Sequence, residues 1–207
     1  MKALLKSVAV AAVLVAAGAA HAVPVTLTGL AILSPYATVS GTLHGSSYND
    51  LSDVLRTNTI EIGSFVAFCI ELDATVSSTY PVTYDYTPYA QDGVARVLSL
   101  YGTGAYSATA ALVAIWEAVY DSVAGDLASG VFTLNAPAGL LAESTALLAA
   151  AGALTVGQYD SNSMHALHND RYQDFVTTVP EPSTYALLLA GLMGIGFVAR
   201  HRSQDRA

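Results

Sequence analysis

Fifteen consecutive residues, Tyr185 to Ala199, carry no charge and no strongly polar side chain. Pro180-Glu181-Pro182 stands ahead of this run, and Arg200, Arg202 and Arg206 follow it. In water such a run would expose an unbroken apolar surface, so it calls for hydrocarbon rather than solvent. As a helix rising 1.5 Å per residue it covers roughly 22 Å, short of a ~30 Å hydrocarbon core. It spans only by taking in Ser183 and Thr184 or by thinning the bilayer. The arginines hold the C-terminus on the cytoplasmic side and set the preceding chain on the other side. Pro180 and Pro182 lack an N–H and disfavour the α conformation in the residue before them, so the helix cannot continue toward the N-terminus.

The other end of the chain agrees. Lys2 and Lys6 precede an apolar stretch from Val8 to Ala20, and Ala20-His21-Ala22 gives the small-x-small pattern that signal peptidase accepts. Residues 1–22 therefore read as a Sec signal peptide, with Val23 as the first mature residue. Residues 23–178 form the exported domain and 179–207 the tail.

The tail as a whole closely resembles the PEP-CTERM sorting signal of Gram-negative bacteria. The resemblance rests on Pro180, Glu181, Pro182, the apolar run, Arg200 and Arg202. It implies processing by an exosortase, a membrane cysteine peptidase. The protein would be anchored in the inner membrane through residues 185–199 during sorting, then delivered to the cell surface or extracellular matrix.

Removing both ends changes the charge balance. Five of the eight basic residues are Lys2, Lys6, Arg200, Arg202 and Arg206, which leaves Arg56, Arg96 and Arg171 between Val23 and Pro182. Fifteen of the sixteen carboxylates lie in that same stretch, giving a net charge near −12 and no lysine. Such a surface repels nucleic acid and other polyanions, so nucleic acid is excluded as a partner.

About 160 residues suffice for one domain with a core. Val25 to Leu33, Tyr36 to Leu43, Thr59 to Leu72 and Thr79 to Tyr89 are rich in β-branched and aromatic residues and read as strands. Val94, Val97, Leu98 and Tyr101 fall at helical spacing after Gly93. Ser107 can cap a second helix with Leu112, Ile115, Trp116, Val119 and Val123 on its apolar stripe. Pro137 to Ala151 is a third helix, rich in alanine, and Gln173 to Val179 is extended. The expected class is α+β: a β-rich N-terminal half, sandwich or barrel-like, packed with a helical C-terminal half, plus the C-terminal membrane helix.

Two segments carry a second resemblance. Phe65 to Leu72 (FVAFCIEL) holds the only cysteine, Cys69, and Ala111 to Glu117 (ALVAIWE) lies on the second helix. Together they resemble the thioester domain of bacterial surface proteins, where a strand Cys bonds to the Gln of a Thr-Gln-x-Ala-Ile-Trp helix. Setting Ala114-Ile115-Trp116 on that motif places Ala111 at the Thr position and Leu112 at the Gln position. A thioester requires a carboxamide carbon to receive the thiolate while ammonia leaves, and leucine has none. The expectation is a thioester-like domain without its thioester, with Cys69 buried as a small hydrophobe. Gln91, Gln158 and Gln173 are the substitutes a covalent adhesin could draw on.

Other chemistry is sparse. His165 and His168, with Asp170, could share one helix face as half a metal site, although the surrounding polar residues read as a solvated loop. Tyr84 and Tyr86 could form a sugar-stacking platform or the inward face of a strand. Gly-x-Ser-x-Gly and phosphate-loop patterns do not occur, and only His44, His165 and His168 could serve Cys69 as a base in the exported domain. No cofactor or metal is therefore expected. The reading is a non-catalytic envelope or matrix protein whose partners are the Sec machinery, signal peptidase and an exosortase. Exopolysaccharide is the surface suggested by the resemblance. A covalent adhesin and an unrecognised secreted hydrolase are the alternatives.

Overall fold

Val25 and Leu27 are fully buried while Thr26 and Thr28 between and beyond them turn outward, the two-residue period of a strand with one wet face. They lie on β1 (Val23–Leu33). In the computed structural model, the described residues are 22–51, 54–123, 125–178 and 191–193. β1 pairs with β6 (Val82–Pro88) through its first half and with β4 (Val54–Thr59) through its second. The register shifts between Leu27 and Gly29, where the strand passes from one neighbour to the other. An irregularity of this kind bends a strand and lets a sheet curl on itself.

The curl closes. β5 (Ser64–Cys69), β8 (His165–His168) and β9 (Phe175–Thr177) complete a barrel in the order β1-β4-β5-β9-β8-β6, every pair antiparallel. Closure removes the open strand edges that would template aggregation. A second sheet has the order β3-β2-β7, from β3 (Ser46–Leu51), β2 (Thr38–Leu43) and β7 (Phe132–Asn135). β2 and β3 are joined by His44-Gly45, with φ of 51° and 78°, the two-residue turn whose twist suits a hairpin.

Three helices pack against one another: α1 (Asp92–Tyr101), α2 (Ala108–Tyr120) and α3 (Ala138–Ala153). Ser107 caps α2, its hydroxyl accepting from the Ala110 N–H at 3.2 Å, and Glu143 of α3 accepts from the Ser107 N–H and hydroxyl at 2.6 and 2.9 Å. α2 touches α1, α3, β4, β5 and β7. Every residue from Thr109 to Ala118 is accordingly buried. The expected one-sided stripe on this helix is corrected: α2 is apolar nearly all round because it has neighbours on all sides, and Val123 falls beyond its end.

The division into a β half and a helical half also needs correction. β7, β8 and β9 belong to the second half, and β8 and β9 return to complete the barrel between β5 and β6. The barrel-like alternative holds and the sandwich does not. The membrane helix expected at 185–199 lies outside the described residues, apart from 191–193, which are helical. Among the described residues no helix is long and apolar enough to cross a membrane.

Asp121 fastens the end of α2 to the small sheet, accepting from the Val131 and Phe132 N–H groups at 2.9 and 2.8 Å. Asp121→Ala leaves two backbone donors without this acceptor and is expected to cost about 2 kcal/mol, measured as a lower denaturant midpoint at unchanged slope.

Candidate functional site

The two segments singled out by sequence meet at the end of β5. Cys69 is buried, and its carbonyl accepts a hydrogen bond from the Trp116 indole N–H at 3.0 Å. Three residues on, the Leu72 N–H donates to the Tyr120 hydroxyl at 2.9 Å. Leu112, Trp116 and Tyr120 recur every four residues and so share one face of α2. Leu112 is fully buried one turn before Trp116 and offers only hydrocarbon there.

The three glutamines have separate fates. Gln91 caps α1 by accepting from the Val94 N–H at 3.0 Å and donates to the Ala118 carbonyl at 2.8 Å. Gln158 is exposed in a turn, accepting from the Thr155 N–H at 2.8 Å. Gln173 alone adjoins the cysteine strand: β9 follows it, Phe175 pairs with Cys69, and its amide donates to the Glu71 carbonyl. Gln173 is buried, and Asp174 beside it donates its N–H to the Glu71 carboxylate at 3.0 Å.

The histidines do not share a helix face. They lie three residues apart on β8, where side chains alternate, so His165 turns in and His168 turns out. His165 stacks on Tyr86 with ring centroids 4.4 Å apart. His168 lies between two carboxylates, Nδ1 2.6 Å from Asp174 Oδ2 and Nε2 3.2 Å from Asp170 Oδ1. Among the described residues no three of His, Cys, Asp and Glu are grouped to hold a metal. Of the two readings of Tyr84 and Tyr86, the inward strand face holds and the sugar-stacking platform does not, since both rings are buried and Tyr84 packs 5.7 Å from Phe175.

The hydrogen bond to Asp174 raises the His168 pKa above its ordinary value of 6.5. The protonated imidazole therefore stabilises the fold fully below about pH 6.5, and the contribution fades as pH rises through the raised value. With the side chain half exposed, it is worth less than about 1 kcal/mol. His168→Ala is expected to melt below the parent at pH 5.5 and to approach it at pH 8.5, in paired thermal scans.

One buried group has no counterpart in the sequence reading. Glu117 is fully buried in the middle of α2, and neither carboxylate oxygen has a hydrogen-bond partner among the described residues. Burial raises its pKa to about 7, with Asp121 and Asp126 adding to the shift. Gly125 presses on the carboxylate so closely that a Cβ there would stand 1.7 Å from Oε1. The available signal was a carboxylate inside an otherwise apolar helix, Ala114 to Ala118.

Thr178, the last described residue before the tail, is also the first residue of a match to a known family model. Residues 178–203 match the PEP-CTERM protein-sorting motif. The motif supports an exosortase-sorted, exported protein with membrane-associated sorting, and it spans Pro180, Glu181, Pro182, Arg200 and Arg202. Those five residues, and Ala20 of the expected signal peptide, lie outside the described residues. Ala22 is exposed and β1 begins at Val23, so cleavage between them would spare every strand. No curated protein and no solved structure matches the chain.

Proposed function

We propose that this is a non-catalytic protein of the cell envelope or extracellular matrix, exported by Sec and sorted by an exosortase. The sorting motif at 178–203 carries the reading. The acidic domain delivered by that route acts through its surface, with exopolysaccharide as the partner in view. Its β5–α2 junction is that of a thioester-like domain whose acyl position has become Leu112. The arrangement of Cys69, Trp116 and Leu112 supports this, because the side chain one turn before Trp116 has no carbon a thiolate could attack. Co-expression with and without an exosortase, followed by fractionation, tests the sorting claim. Transfer from the membrane to the surface or medium is expected only with the enzyme, and identical anchoring in both strains would reduce the tail to a plain membrane helix.

A covalent adhesin is the second reading, favoured by the burial of Gln173 beside the cysteine strand. Attack of the Cys69 thiolate on the Gln173 carboxamide carbon would form a C–S bond and release ammonia. A native domain lighter than its sequence by one ammonia, with the deficit lost on amine treatment, would establish that reading. Full sequence mass is the result expected from Leu112.

A further inference from the structure

β9 ends at Thr177, which is buried, and Pro180 follows three residues later. Even fully extended, that interval reaches only about 10 Å, and the stretch from Thr177 to Tyr185 at the start of the apolar run reaches about 28 Å at most. Any enzyme that closes on Pro180-Glu181-Pro182 therefore works against the surface of the folded barrel. The surface there is concave. Leu98, Ser99 and Gly102 of α1, Asp160 and Ser163 of the turn before β8, and Thr178 line a groove of about 230 Å³. The base of the groove is apolar, since Leu98 and Met164 are buried beneath it, and its rim carries hydroxyls and the Asp160 carboxylate. None of its lining residues is basic.

We infer that this groove between α1 and the Asp160–Met164 turn is the surface on which the sorting peptidase seats the folded domain. The inference rests on the sorting reading and adds to it that the enzyme reads the domain beside the motif as well as the motif. The complementary element is a protruding loop of the enzyme with a small apolar side chain for the base and a neutral or basic group facing Asp160. Arg96, the only cation on α1, lies over the Tyr159 ring at 5.0 Å and does not line the groove.

The test is the rate of tail processing of the full-length precursor in cells that carry the exosortase. Ser99→Arg and Ser163→Arg each fill the groove from a different wall, and the melting curve of each exported domain shows which variants are folded. Each folded variant is expected to be processed about tenfold more slowly, the effect of losing roughly 1.4 kcal/mol of contact. Inserting a flexible Gly-Ser linker of about twelve residues between Thr178 and Val179 should abolish the difference, because the motif can then be reached away from the barrel. Unchanged processing of a folded groove variant on the short tether overturns the inference, as does slowing that the linker leaves intact. The tail fused through the same flexible linker to an unrelated reporter is the separate control. If it too is left uncut, the sorting reading fails and the docking surface fails with it; if it is cut while the groove variants match the parent, only the docking surface fails.

Discussion

Trp116→Ala is expected to destabilise the exported domain by about 4 kcal/mol, enough to leave a domain of ordinary stability largely unfolded at 37 °C. Two losses add. The first is the indole volume in the middle of a helix that is buried on every side, where α2 meets β4, β5 and β7. Trp116 packs edge-on to Phe132 at 6.3 Å, and Phe132 in turn stacks with Tyr48 and Tyr120, so the cavity would open within an aromatic cluster shared by the three-stranded sheet and the helix. The second is the hydrogen bond to the Cys69 carbonyl, which would be left without that donor in a buried site. Trp116→Phe separates the two, keeping most of the volume while losing the bond, and should cost about 1–2 kcal/mol. Urea unfolding followed by circular dichroism gives both values, since the only tryptophan is lost in each variant. A cost for Trp116→Ala below about 1 kcal/mol would mean that α2 is not the centre of the fold.

The adjacent residue should behave in the opposite way. Glu117→Gln is expected to stabilise the domain at pH 8 by up to about 3 kcal/mol and to make little difference at pH 4.5. Neither carboxylate oxygen of Glu117 has a hydrogen-bond partner among the described residues, and burial raises its pKa from 4.5 to about 7. Between these values the native state holds a proton that the unfolded chain has released. Stability therefore falls as pH rises from about 4.5 to about 7 and stays low above that range. Glutamine has nearly the same shape and stays neutral, so it keeps the Gly125 contact without the charge penalty. The Trp116 fluorescence of the parent and of Glu117→Gln reports unfolding at each pH. The expected result is a parent whose stability declines across the window and a variant in which that decline is absent. Parallel curves from pH 4.5 to 8 would show that the carboxyl is compensated in the fold.

The helices were legible because their signals are local. The spacing of Val94, Val97, Leu98 and Tyr101, and the Ser107 cap, identify α1 and α2 without reference to the rest of the molecule. β1, β2 and β6 were legible for the same reason, being long enough to show their period. β8 and β9 were not. His-Ala-Leu-His and Phe-Val-Thr are too short to show a period and stand among Asn and Asp. What makes them strands is pairing with β6 and β5, from segments about eighty and one hundred residues earlier in the chain. The same long-range pairing set the histidine geometry, because a helix would have put His165 and His168 on one side whereas a strand sets them on opposite sides.

At the candidate site, sequence identified the participants but not their depth. Cys69, Leu112 and Trp116 were recognisable from local motifs, and the Trp116 bond to the Cys69 carbonyl brings those motifs together. Burial was the missing quantity. Tyr84 and Tyr86 suited an exposed platform and an inward strand face alike and lie in the core, while Glu117, a carboxylate, has no contact with solvent. A carboxylate flanked by Trp116 and Ala118 does not reveal that Gly125 closes over it, beyond the point where Asp121 reaches the Val131 and Phe132 backbone.

The central claim is that the chain is cut at both ends and delivers a domain without a thioester. The most direct measurement is the intact mass of native protein recovered outside the cytoplasm of exosortase-bearing cells. The predicted mass is that of a chain starting at Val23 and ending before Tyr185, with no ammonia missing. A mass that retains residues 185–199, or one short by a single ammonia in the folded protein, would contradict it.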